Sequence, residues 1–168
     1  AYGNVVEYAY FDAEGNLYAP SNGIARTVKS YDALANPTSE AYFGVNNQPV
    51  LGKYGCARLT YGRDVQGRVV KLAFFGTQNQ PIIPSKYGYA SMTQVYSVPG
   101  KVVELAYFGV NGLPMLFEGS YARLTYKYDA KGRQTEAAYF GVDGQPGMAK
   151  ERYVRWTLKY DSQGRRVE

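Results

Sequence analysis

The sequence predicts an all-β fold of five tandem β-hairpin repeats, each about 32 residues long, forming an elongated twisted antiparallel sheet or a β-solenoid. Three observations predict it. Phe11, Phe43, Phe75, Phe108 and Phe140 recur at spacings of 32, 32, 33 and 32, and Ala25, Ala57, Ala90, Ala122 and Val154 recur in steps of 32 or 33. Within each unit, apolar and polar residues alternate with period two, the pattern of a half-buried strand. A short turn sequence then follows at a fixed place, as in Asp64 to Gly67, Asp129 to Gly132 and Asp161 to Gly164.

The 168 residues read as a single repeat array over 1–168, with approximate units 3–34, 35–66, 67–99, 100–131 and 132–163 and residues 164–168 beginning a further unit. Two strands and two turns cannot bury a core alone, so each unit must pack on the next. A closed propeller is less favoured, because its blades need about 40 residues and four strands. The chain opens on Gly3, Asn4, Val5, Val6, Glu7 and closes on Gly164, Arg165, Arg166, Val167, Glu168, the same phase of the unit. That phase suggests a piece of a longer array.

The first strand of the unit is clearest where Ala122, Leu124, Tyr126 and Tyr128 alternate with Arg123, Thr125, Lys127 and Asp129. Val154, Trp156, Leu158 and Tyr160 repeat it in the fifth unit. The hairpin loop DAKGR at 129–133 follows, in which Asp bonds its own backbone and Gly accepts positive φ. In the first unit DALAN at 32–36 puts Ala35 where Gly belongs, with Pro37 beyond, and a distorted turn is expected.

The second strand is expected over Val102 to Phe108 and Arg133 to Phe140, with Val103, Leu105 and Tyr107 on one face and Glu104, Ala106 and Phe108 on the other. The Phe is expected to pack under the next unit while the Tyr looks along the sheet. The small residue at Ala9, Ala41, Ala73, Ala106 and Ala138 suggests close approach of a neighbouring backbone or ring. Lys127 is expected near Glu136 across the strands. The strand leaves through turns such as GVNGLP at 109–114, and Pro ends the ladder. The connections that follow, LYAPSNG, VLGKYG, IIPSKYG, MLFEGS and GMAKER, vary most, so a contact differing between units belongs there.

The residues around these turns also resemble a known group. Tyr128, Asp129, Ala130, Lys131, Gly132, Arg133 is similar to the YD repeats of bacterial Rhs and teneurin-like shells. The wider unit, Tyr-Phe-Gly-x-Asp/Asn-Gly-x-Pro between Tyr-Asp turns, looks like tandem repeats of bacterial surface, secreted or multidomain proteins. The resemblance implies β-rich scaffolding or binding, no reaction of its own, and an extracellular or cell-surface location.

Composition narrows the chemistry. His is absent, so a histidine relay is excluded, and Cys56 is the single cysteine, so no intrachain disulfide and no Cys/His zinc site can form. Cys56 occupies the slot of Ile24, Tyr89 and Tyr121 in other copies, which marks it as structural. FDAEGN at 11–16 lacks the spacing of a calcium loop, and Glu104 with Glu136 reads as strand charge rather than as the acid pair of a glycosidase. No enzyme, cofactor or metal is expected. No apolar run of about 18 residues occurs, so membrane insertion is not expected either.

The binding candidates are of two kinds. Tyr supplies 18 positions against 7 Phe and one Trp. Tyr54, Tyr87, Tyr89, Tyr121 and Tyr153 sit in or beside the variable connections, where rings and hydroxyls suit a protein or glycan, against a competing role in capping the sheet. Arg26, Arg58, Arg123 and Arg155 form a ladder on one face, interrupted by Ser91, and offer the alternative of acidic-polymer or nucleic-acid binding. The net charge of +5 is scattered, which disfavours nucleic acid. Exposed end strands admit edge-to-edge self-association.

Overall fold

The structure is a computed structural model and describes residues 3–97, 100–149 and 152–167. Val98 and Pro99 of the third turn, Lys150 and Glu151 of the last connection, and Glu168 lie outside the described residues. Among the described residues ten strands make the all-β fold: β1 (Glu7–Ala9), β2 (Arg26–Tyr31), β3 (Pro37–Phe43), β4 (Arg58–Arg63), β5 (Val69–Phe75), β6 (Ser91–Tyr96), β7 (Val102–Phe108), β8 (Arg123–Tyr128), β9 (Gln134–Phe140) and β10 (Arg155–Thr157). Backbone contacts divide the chain into two compact units, Ala1–Ser91 and Met92–Glu168.

In the first unit β1 to β5 pair antiparallel in chain order, and in the second β7 to β10 do the same. Neighbours in sequence are neighbours in the sheet, so within each unit the arrangement is an antiparallel sheet rather than a solenoid of parallel coils. Expected and observed strands coincide at β7, and nearly so at β9. The strand expected through Tyr160 is shorter: β10 covers Arg155–Thr157, after which Leu158 N donates to Thr135 O at 2.8 Å.

The hairpin turns at Asp32, Asp64, Asp129 and Asp161 close on an Asp, and Ser97 takes its place in the third copy, its N–H donating to Lys101 O at 2.8 Å. Asp129 Oδ1 accepts from Lys131 N and Arg133 N, both at 2.9 Å, while Gly132 takes φ 75°. The first-unit turn is not distorted, contrary to expectation. Ala35 adopts φ 64°, and Asp32 N reaches Asn36 O at 2.9 Å as Asp129 N reaches Arg133 O. Within this turn Ala35 bears the strain of an L residue in the left-handed region, as Asn47, Asn79, Glu118 and Arg152 do in other turns.

The residue before the Asp explains the Tyr-Asp pairing. A register shift precedes the turn at Ser30/Tyr31, Gly62/Arg63 and Lys127/Tyr128. The Tyr hydroxyl then reaches back over the sheet: Tyr31 to Val5 O at 2.9 Å, Tyr128 to Val102 O at 2.8 Å, Tyr160 to Gln134 O at 3.0 Å. Where the second copy has Arg63, its Nε makes the same bond to Pro37 O at 2.9 Å.

The core lies on one face. Tyr42 and Phe74 are 1% exposed and Tyr107 is 7% exposed, whereas the following Phe43, Phe75 and Phe108 are half-buried on the opposite face. The expectation that Phe is the packed ring is thus reversed. Strand alternation decides it: Tyr42, Leu59 and Phe74 share the face that the connections fold over. The connections differ in sequence yet turn tightly at the same place, with Gly23 N to Pro20 O at 2.8 Å, Gly55 N to Gly52 O at 2.9 Å, Gly88 N to Pro84 O at 3.0 Å and Ser120 N to Phe117 O at 3.0 Å. Three of them add a second bond, such as Gly52 N to Cys56 O at 2.8 Å, for which Pro20 and Pro84 have no N–H. A side chain at Gly52 would run into the Tyr42 ring, so the turn there is pressed onto the core.

Candidate functional site

Two sets of side chains, on opposite faces of the sheet, carry what chemistry the molecule has. Residues alternate along β4 and β5, so Arg58 faces Phe75 on one side and Leu59 faces Phe74 on the other. The tyrosine and arginine candidates therefore do not form a single site.

The aromatic face of the first unit centres on Phe74, with Tyr87 at 4.6 Å and Tyr89 at 5.8 Å between ring centroids. Tyr54 lies 6.4 Å from Tyr87. In the second unit Tyr107 stacks on Phe117 at 4.5 Å and 15°, Tyr121 stands edge-on to Tyr139 at 5.0 Å, and Tyr139 meets Tyr153 at 5.7 Å. Of the predicted residues, Tyr89 is buried, Tyr54, Tyr87 and Tyr121 are half-buried, and Tyr153 is 36% exposed. The set is brought together as two clusters, one per unit. Tyr54, Tyr87, Tyr121 and Tyr153 pack on their neighbours and keep part of their surface in water, whereas Phe74, Tyr89 and Tyr107 are buried beneath them.

A polar group inside the first cluster was missed by the sequence reading. Glu40 is 7% exposed, accepts from the Tyr42 hydroxyl at 2.8 Å and pairs with Lys53 Nζ at 3.3 Å. Lys53 also lies over the Tyr54 ring at 4.7 Å. The signal lay in comparing copies, because the position of Glu40 holds Tyr8, Leu72, Leu105 and Ala137 elsewhere. Burial, then the bond to Glu40, raises the Tyr42 phenol far above its ordinary value. Cys56 is fully buried, and burial followed by the charge of Glu40 pushes its thiol up to about 11. Both groups keep their protons at neutral pH, which suits packing rather than nucleophilic work.

On the other face three of the four predicted arginines lie over a phenylalanine: Arg26 over Phe43 at 4.4 Å, Arg58 over Phe75 at 4.0 Å, Arg123 over Phe140 at 3.9 Å. Carboxylates answer three of the four predicted cations. Arg26 pairs with Glu7 at 3.0 Å, Arg123 with Glu104 at 3.1 Å and Arg155 with Glu136 at 3.7 Å. The expected Lys127–Glu136 pair is present at 3.0 Å. Ala41, Ala106 and Ala138 line shallow pockets between the Phe, the Pro beyond it and the next Arg, with volumes of about 130, 240 and 400 Å³.

Among the described residues, no three His, Cys, Asp or Glu side chains gather as a metal-binding group, and no helix is long and apolar enough to cross a membrane. The chain matches no protein-family model and no curated protein. Fold and faces define a β-hairpin repeat scaffold with a tyrosine-rich surface.

Proposed function

We propose that this chain is a noncatalytic repeat scaffold that presents its tyrosine-rich face to a protein or glycan, with the glycan as the partner to test first. One observation carries the reading: rings from successive copies gather on one face of each unit and remain partly exposed, as in the Tyr139–Tyr153 pair. Partly wet phenol rings combine an apolar face with a hydroxyl, which is what sugar rings and interface side chains both engage. The likeness to YD repeats of bacterial surface and secreted proteins supports a binding role outside the cell. A continuous arginine ladder for nucleic acid is weakened by Glu7, Glu104 and Glu136, which neutralise it from within.

The test is a glycan array with the whole chain beside Tyr54→Ala and Tyr153→Ala. Selective binding that falls about tenfold in either variant is expected, the loss typical of an aromatic anchor. Binding indifferent to both substitutions removes the aromatic face from the account.

A further inference from the structure

The copies act as controls on one another, and one of them keeps the arginine of a recurring ion pair without its carboxylate. The same guanidinium nitrogen is used in each ion pair: Nη1 of Arg26 to Glu7 Oε2, Nη1 of Arg123 to Glu104 Oε2, and Nη1 of Arg155 to Glu136 Oε2. In every case the Glu stands two residues before the Ala that faces the Arg, namely Ala9, Ala106 and Ala138. Ala41 faces Arg58 in the same register, and Ser39 holds the place of the Glu. The third copy changes both partners, to Lys71 and Ser91. Only the second copy keeps the cation and drops the anion.

Arg58 is held ready nonetheless. Its Nε and Nη2 donate to Asn79 Oδ1 at 3.1 and 2.6 Å, and its plane lies on Phe75. Among the described residues its Nη1 donates to nothing and no carboxylate pairs with it. The guanidinium opens on a pocket of about 130 Å³ walled by Ala41, Phe43, Pro49, Thr77 and Asn79. The matching pockets at Arg123 and Arg155 carry Glu104 and Glu136 in their walls.

We propose that the Arg58 pocket binds the carboxylate of a uronic acid in a glycan; this rests on the glycan arm of the function proposed above. A fixed guanidinium with unused N–H groups is suited to a carboxylate, and a partly desolvated cation gains from one. The pocket is shallow and open to solvent, so a carboxylate can enter beside Arg58 while the ring that carries it lies against the rim. A sugar fits better than an extended peptide. Strand β4 is paired on both sides, so no backbone edge is offered for strand addition. Phe43 and Pro49 present apolar surface to the C–H face of a pyranose, and Thr77 and Asn79 present polar groups to its hydroxyls.

The experiment is calorimetric titration of the whole chain with trigalacturonic acid, beside the neutral galactose trimer and a Glu-rich peptide. One saturable uronate site is expected, weakened about tenfold or more by Arg58→Ser, the loss of one charge-assisted hydrogen bond. Ser39→Glu is the decisive variant: it supplies the missing carboxylate in the manner of Glu7 and Glu104, restores the repeat pair, and is expected to block the site equally. Lys71→Ser removes a charge elsewhere on the same unit and is expected to leave binding unchanged. Absent uronate binding, uronate binding that survives Ser39→Glu, equal loss in Lys71→Ser, or binding of the acidic peptide alone would each overturn the assignment. Neutral glycan binding lost in Tyr54→Ala, with no uronate site, leaves the proposed function standing and removes only this pocket. Uronate binding at Arg58 that ignores Tyr54→Ala does the reverse.

Discussion

Ala35 shows how one residue departs from its copies without altering the fold. Gly67, Gly132 and Gly164 fill its place with φ of 78°, 75° and 85°, and Ala35 follows them to 64°. Ala35→Gly is expected to raise stability by about 1 kcal/mol, since relief of left-handed strain exceeds the entropy that Gly adds to the unfolded chain. A urea midpoint checks it, and a lower midpoint would mean that the unfolded-state term wins. At this scale the sequence was legible wherever copies could be compared, as with Cys56 in the slot of Ile24 and Tyr121. Glu40 was equally visible as an odd residue, but its burial was not, because Lys53 comes from a connection whose sequence has no counterpart in other copies.

The hairpin turn is the element whose chemistry responds to pH. Asp32 is held below its ordinary pKa chiefly by the backbone N–H of Asn36, Asp129 by that of Arg133, and Asp161 by the side chain and then the backbone of Arg165. A depressed folded-state pKa favours the ionised form in the fold, so this stabilisation is complete above the unfolded value near 3.8. It is lost as pH falls through the lower folded values. Urea midpoints followed into the acid range are expected to decline there, and Asp129→Asn is expected to flatten part of the decline. An identical acid profile for that variant would remove the Asp129 turn as a cause.

Strands and hairpins were readable because period-two alternation and Asp-x-x-Gly both reflect backbone geometry. The connections were legible only as the most variable segments, because their side chains differ while the turn they make is held by backbone bonds, such as Gly55 N to Gly52 O and Ser120 N to Phe117 O, that leave no common residue type. The Phe and Tyr assignments were exchanged for a related reason. Alternation fixes that adjacent rings face opposite ways, but which way is inward depends on where the connections fold.

At the scale of the whole chain, the class and the repeat were legible from spacing, while the division at Ser91 and Met92 was not, since no linker composition marks it. Residues 1–91 expressed alone are expected to keep the β circular-dichroism signal per residue of the intact chain, as repeat units stabilised by their neighbours should. Collapse of that signal would show that the first unit depends on the second.

Pairing in chain order also governs how the molecule is made. Each strand of a unit bonds to the one synthesised just before it, and the recurring Tyr-to-carbonyl bonds span only 26 positions. Sheets with such short closures need no distant segment to arrive before they begin to form, and hairpin steps take roughly 1–10 μs. Translation at about 5–20 residues per second is far slower, so each repeat has time to settle on its predecessor while the next is still being added. The growing edge, rather than the finished sheet, is then the template on which every new copy folds.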